Sequence, residues 1–102
     1  MSKGKAALVT GSTRGIGQAI ARALAVEGCN VMLNGFGDAD AIEKDRAALA
    51  EEHGVDVRYN GADLGMESDV DALTRATEDA FGSVDILVNN AVIRYFHNID
   101  NF

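Results

Sequence analysis

The chain has 102 residues, 47% of them hydrophobic and 25% charged, with 16 acidic against 9 basic side chains and a formal net charge of −7. That length is one modest domain, too short for a cofactor domain plus a separate substrate domain. The acidic balance argues against a nucleic-acid partner, which needs a basic face, so any phosphate must be held by local geometry and not by net charge.

The single cysteine, Cys29, excludes an internal disulfide and fits a reducing compartment as a small core residue. No apolar run approaches the roughly 18 residues of a membrane span. The first five residues, Met-Ser-Lys-Gly-Lys, lead into an apolar run without a signal-peptide pattern, and the expected setting is cytoplasmic.

Ala6-Ala7-Leu8-Val9 is a short continuous apolar run, the pattern of a strand buried on both faces in a parallel sheet. Thr10-Gly-Ser-Thr-Arg-Gly-Ile-Gly17 follows it. Beyond, Ile16, Ala19, Ile20, Ala23 and Leu24 recur at helical spacing, with Gly28 where a helix stop belongs. The reading is strand, tight turn, helix. Gly11 frees the turn, while Gly15 and Gly17 remove the β-carbons that would keep a phosphate, or a neighbouring strand, from the helix start. The unpaired N–H groups of the first turn and the positive end of the helix dipole then face an anion, with Ser12 and Thr13 expected to offer hydroxyl donors. The spacing is G-x-x-x-G-x-G, not the G-x-G-x-x-G of the commoner dinucleotide fingerprint, so the flanking strand and helix carry much of the reading.

Val31-Met32-Leu33 is a second apolar run, followed by the loop Asn34-Gly-Phe-Gly-Asp38, which either presents Phe36 or tucks it onto the sheet edge. Asp38 or Asp40 can cap the next helix, which places Ile42, Leu49 and Ala50 on one face and ends at Gly54. His53 in its last turn suits the dipole and is given no catalytic role. Val55, Val57 and Tyr59 alternate with Asp56, Arg58 and Asn60, the pattern of an edge strand with one wet face, and Asp63 and Leu64 follow. A third helix is expected from about Met66 to Phe81, with Val70, Leu73, Ala76, Ala80 and Phe81 as its apolar stripe and acidic residues in its first turns. Ile86-Leu87-Val88 is a fourth strand, ending in Asn89-Asn90-Ala91.

Four strands alternating with three helices imply an α/β fold, a Rossmann-type doubly wound parallel sheet with right-handed crossovers. A reversal after the third strand gives the order 3-2-1-4 and a ligand crevice beyond the carboxyl ends of strands one and four. The glycine turn, the 34–38 loop, Asp63 and the 89–92 segment all follow strand ends on that side. That convergence favours a dinucleotide over a lone phosphate.

The pairing of Thr10-Gly-x-x-x-Gly-x-Gly17 with Asn89-Asn90-Ala91 resembles the short-chain dehydrogenase/reductase family, across all 102 residues. The stretches 34–39, 42–44 and 61–64 are similar to the branch of that family that oxidises 3-hydroxybutyrate with NAD as a homotetramer. The resemblance implies hydride transfer between a nicotinamide cofactor and a 3-hydroxy acid. It places Gly11, Thr13, Gly15 and Ile16 around the pyrophosphate and ribose, and Phe36 beside the adenosine. Asp63 would accept from the adenine amino group with Leu64 packed on the ring, and Asn90 and Ala91 would lie along the nicotinamide ribose.

Three positions depart from the pattern. Val92 stands where the family usually has glycine, and Arg94 where this branch tends to carry a glutamine that helps hold the substrate carboxylate. An arginine fork can clamp a carboxylate, or the side chain is a solvated loop residue. Arg14 opposes the helix dipole and makes best sense beside an anion; in related reductases a basic residue there accompanies NADP. The Gly-Phe-Gly loop favours NAD, which is the expected cofactor, with NADP as the alternative.

The family's chemistry needs a Tyr-x-x-x-Lys pair and a serine. Tyr59 and Tyr95 are followed four residues on by Asp63 and Ile99, and His97 reads as surface. The 102 residues therefore read as the N-terminal, cofactor-binding part of a single Rossmann domain, truncated before its catalytic half. The alternatives are part of an NADPH-linked 3-oxoacyl reductase, or a nucleotide-binding module without chemistry of its own.

Overall fold

A computed structural model describes residues 4–63 and 67–90. Along them run β1 (Ala6–Val9), α1 (Gly15–Val26), β2 (Asn30–Leu33), α2 (Ala39–His53), β3 (Val57–Tyr59), α3 (Glu67–Phe81) and β4 (Ile86–Val88). The strands pair in parallel in the order β3-β2-β1-β4, as the sequence implies. The reversal of direction falls between β1 and β4, so the carboxyl end of β1 opens onto the crevice where such sheets bind ligands.

Side chains alternate across the sheet, and each face finds its own helices. Ala7, Val9, Val31, Leu33 and Val57 pack with Ala21 and Ala25 of α1 and Leu49 of α2. Leu8 and Met32 point the other way, onto Leu73 of α3 with Phe81 and Val84 alongside. Cover on both faces is why β1 and β2 read as unbroken apolar runs and not as alternating ones.

Two helices present faces that differ from the periodicity reading. In α1 the buried positions are Gly17, Ala21 and Ala25, with Ile20 and Leu24 partly covered, while Ile16 stays 72% exposed. The helix approaches the sheet on its smallest residues, and the turn that starts it sends Ile16 outward. In α3 Leu73 and Thr77 are buried and Val70 is exposed. Thr77 can be buried because its hydroxyl donates to the Leu73 carbonyl one turn back, at 2.9 Å. The ends of α2 follow expectation: the Asp38 carboxylate accepts from the Ala41 N–H at 3.0 Å, and Gly54 closes the helix in the left-handed conformation.

At the foot of the sheet, β1 and β4 are tied by a reciprocal pair. The Ala6 N–H donates to the Asp85 carboxylate at 2.8 Å and the Asp85 N–H donates to the Ala6 carbonyl at 2.9 Å. Ser83 adds a hydroxyl to the same carboxylate. The backbone donor first, and then Ser83, hold the Asp85 carboxyl below its ordinary value of 3.8. Because the folded-state pKa is the lower one, this anchor contributes fully above the ordinary carboxylate range and is lost as the pH falls through the lowered, folded-state value. Asp85→Asn should therefore melt lower than the parent near neutrality, with the gap narrowing only as the pH falls through and below the ordinary carboxylate range. Parallel thermal melts across that range check it; a gap independent of pH would contradict the assignment.

Candidate cofactor site

The carboxyl end of β1 is bolted to that of β4. The Thr10 N–H donates to the Val88 carbonyl at 3.0 Å, the Thr10 hydroxyl reaches Asn89 Oδ1 at 3.2 Å, and Asn90 Nδ2 donates to the Gly11 carbonyl at 3.2 Å. Gly17 comes down on the same carbonyl. A β-carbon there would overlap the Gly11 carbonyl and crowd Asn90 Nδ2 at 2.9 Å, so this position admits only glycine. The first turn of α1 is thereby pressed against the switch point of the sheet.

The surface of that turn is open. Gly15 has φ of 64°, the left-handed region that favours glycine, and nothing lies within 4 Å of where its β-carbon would stand. Arg14, in extended conformation, occupies the N-cap without a capping hydrogen bond, and the first turn carries no acidic residue. The donors and positive dipole end of α1 are consequently not offset by a side chain, which is the arrangement an anion completes. Ile16 and Arg14 stand exposed at the same rim. Among the described residues no carboxylate pairs with Arg14.

The hydroxyls expected to serve a ligand are used internally. Ser12 is buried, its Oγ 2.7 Å from the Val9 carbonyl to which it donates, and it accepts the Asn34 N–H at 2.9 Å. Thr13 donates to the Phe36 carbonyl at 2.8 Å. Both therefore fasten the glycine turn to the loop after β2, and a ligand can only donate to them. Phe36 is 55% exposed, so the loop presents the ring instead of tucking it onto the sheet.

The residue that joins these loops is Asn34, which is 2% exposed. Its Nδ2 donates to the carbonyls of Asn60 at 2.9 Å and Ala62 at 3.0 Å, and its Oδ1 accepts from the Gly11 N–H at 3.4 Å. The two carbonyls fix which end of the amide is nitrogen. One buried side chain thus sets the spacing of the segments after β1, β2 and β3. Tyr59 adds a second tie, donating its hydroxyl to the Gly35 carbonyl at 2.5 Å. Alternation placed Tyr59 on the covered side of β3 but not its bond to Gly35, and the signal for Asn34 was a lone polar side chain closing an otherwise apolar strand. Asp63 is exposed after β3 on the same side of the sheet. Leu64, Ala91, Val92, Arg94 and His97 lie outside the described residues.

The residues present suit a dinucleotide: an uncapped helix start over Gly15, an exposed aromatic ring after β2 and an acidic side chain after β3. Among the described residues no cluster of His, Cys, Asp or Glu could hold a metal ion, and no helix is long and apolar enough to cross a membrane.

The profile of the short chain dehydrogenase family matches residues 5–102. The protein belongs to the short-chain dehydrogenase family. It is 47% identical to a D-beta-hydroxybutyrate dehydrogenase of Cupriavidus necator, over all of this chain and 39% of that protein. It is 42% identical to a D-beta-hydroxybutyrate dehydrogenase of Rhizobium meliloti, over 96% of this chain and 38% of that one. The 102 residues thus span about two fifths of the length of these relatives. Among solved structures the fold is similar to an L-sorbose reductase from Gluconobacter frateurii complexed with NADPH and L-sorbose. That likeness has a TM-score of 0.78 and 39% identity, covering 86% of this chain and 33% of that one. The glycine turn and the Asn89-Asn90 end of β4 are brought together through Thr10 and Gly11, and Asn34 ties that turn to the segments after β2 and β3.

Asn34→Asp would set carboxylate oxygens against two carbonyls that now receive hydrogen bonds. Leaving them unsatisfied costs about 1–3 kcal/mol, and more where charge is buried. The variant should unfold at clearly lower urea concentration than the parent, a shift that denaturation followed by circular dichroism measures.

Proposed function

We propose that this protein is the nicotinamide-dinucleotide-binding part of an oxidoreductase that transfers hydride between the cofactor and a 3-hydroxy acid resembling 3-hydroxybutyrate. The observation that carries the reading is the α1 start: uncapped, open over Gly15, and locked to the end of β4 through Gly11, Gly17 and Asn90. The names of the two hydroxybutyrate dehydrogenase relatives support the substrate class.

In this reading Gly11, Thr13, Arg14, Gly15, Ile16 and Gly17 surround the pyrophosphate, and the α1 amides supply its hydrogen bonds. Phe36 flanks the adenosine, and Asp63 and Leu64 receive the adenine. Asn90 and Ala91 line the nicotinamide ribose, and Arg94 faces the substrate carboxylate. The nicotinamide, when bound, supplies the site that accepts or returns hydride. These side chains bind and orient; none is placed as the proton donor to the reacting oxygen. We assign that step to sequence beyond the cofactor-binding part, in a full-length homotetramer. The buried Cys29 suits a reducing, cytoplasmic setting.

NAD is favoured by the Gly35-Phe36-Gly37 loop, which carries no cation for a 2′-phosphate. NADP is the second reading, supported by Arg14, whose exposed guanidinium has no carboxylate partner among the described residues.

Calorimetric titration of the protein with NAD and NADP tests the reading. Gly15→Asp, which places a negative charge at the helix start, should weaken binding at least tenfold, about 1.4 kcal/mol. Gly15→Asn is the control for backbone strain, since asparagine tolerates the left-handed conformation without the charge. No heat from either nucleotide with the folded parent would overturn the proposal.

A further inference from the structure

The sequence contains two Asn-Gly pairs, Asn34-Gly35 and Asn60-Gly61, and both border the network that ties the loops after β2 and β3. An Asn-Gly pair is chemically distinctive because the glycine amide nitrogen is unhindered. That nitrogen can attack the side-chain carbonyl carbon of the preceding asparagine. A new C–N bond closes a five-membered succinimide, and the bond from that carbon to Nδ2 breaks as the amine takes the proton and leaves as ammonia. Water then opens the ring at either carbonyl, giving aspartate or isoaspartate, with no oxidant or reductant required. The reaction needs freedom for the side chain and the following amide to meet.

The two pairs differ in that freedom. At the first, Asn34 and Gly35 are both buried, and both Nδ2 hydrogens of Asn34 are donated to carbonyls. Thr13 fills the space where a β-carbon of Gly35 would stand, at 2.5 Å from its Oγ1, and the Tyr59 hydroxyl holds the Gly35 carbonyl. Neither partner can rotate without breaking these contacts. At the second, Gly61 is exposed and Asn60 half-buried. The Asn60 Oδ1 accepts from the Ala62 N–H at 3.0 Å, which curls the side chain back along its own backbone and polarises the carbonyl that would be attacked. Among the described residues its Nδ2, the leaving nitrogen, has no acceptor.

We propose that Asn60 is a modification site, converting to aspartate and isoaspartate in the folded protein while Asn34 keeps its amide. The consequence is local and directed. The Asn60 N–H donates to the Leu33 carbonyl at 3.0 Å and the Asn60 carbonyl accepts from Asn34, so the residue is anchored on both sides. An isoaspartate routes the backbone through the side chain at that anchor and adds a negative charge, displacing the segment that leads to Asp63. The modification does not depend on the proposed function.

The test is incubation of the intact protein at warm, mildly alkaline pH, in buffer and in concentrated urea, followed by tryptic digestion and mass spectrometry. Peptide 59–75 reports Asn60 and peptide 23–44 reports Asn34, and chromatography separates the aspartate and isoaspartate products. In buffer, conversion at Asn60 should run several-fold faster than at Asn34; in urea the two should react at comparable rates. In urea Gly61→Ala should slow the Asn60 reaction, since its β-carbon hinders the attacking nitrogen. Survival of Asn60 for as long as Asn34 in buffer, or equal loss of both there, would overturn the proposal.

Discussion

The carbonyl of Gly11 is where the structure is most constrained. Asn90 donates to it from the end of β4, and Gly17 presses on it from the first turn of α1, at a distance that leaves no room for a β-carbon. The consecutive elements β1 and α1 and the end of β4, 79 residues further along, meet on one oxygen atom. Because the approach is that close, α1 must lie on the sheet with its smallest residues, and its larger ones fall to the flank or into solvent. Because α1 begins there, its unpaired donors are carried to the switch point between β1 and β4, where the sheet leaves a crevice.

Beneath that contact is an apolar floor that keeps polar groups at the strand ends. β1 and β2 are covered on both faces, so the first polar residues to follow them are Thr10, Ser12 and Asn34, at or just past the carboxyl ends. Buried there, each must be hydrogen-bonded, and they bond to one another's loops. The same requirement explains why Ser12 is not a spare donor, while the half-buried Thr13 spends its hydroxyl on the Phe36 carbonyl. Their hydroxyls close the network that fastens the glycine turn to the loop carrying Phe36.

Much of this was legible in the sequence. β1, β2 and β4 announced themselves as short apolar runs and β3 as an alternating edge strand, and the glycine spacing with the paired asparagines located the crevice. The helix caps at Asp38 and Gly54 followed from residue chemistry. What periodicity could not settle was rotation. In α1, alanines and glycine are weakly apolar, so the bulky Ile16 dominates the pattern although the sheet admits only small side chains. In α3, Thr77 counts as polar in a pattern but is silenced by its bond to the preceding turn. Asn34 and Tyr59 escaped because their importance lies in tertiary hydrogen bonds to backbone atoms about 25 residues away, which no local window registers.

The central claim is that the glycine turn at the end of β1, and not another surface, receives the dinucleotide. Glycine amides test it directly in a proton–nitrogen NMR titration of the labelled protein with NAD, because glycines stand at both ends of the sheet. Gly11, Gly15 and Gly17 should shift on binding, with Gly35 and Gly37 following, while Gly54 and Gly82 at the helix carboxyl ends stay in place. Shifts at Gly54 and Gly82 without movement at Gly15 and Gly17 would contradict the account, as would a spectrum that NAD leaves unchanged.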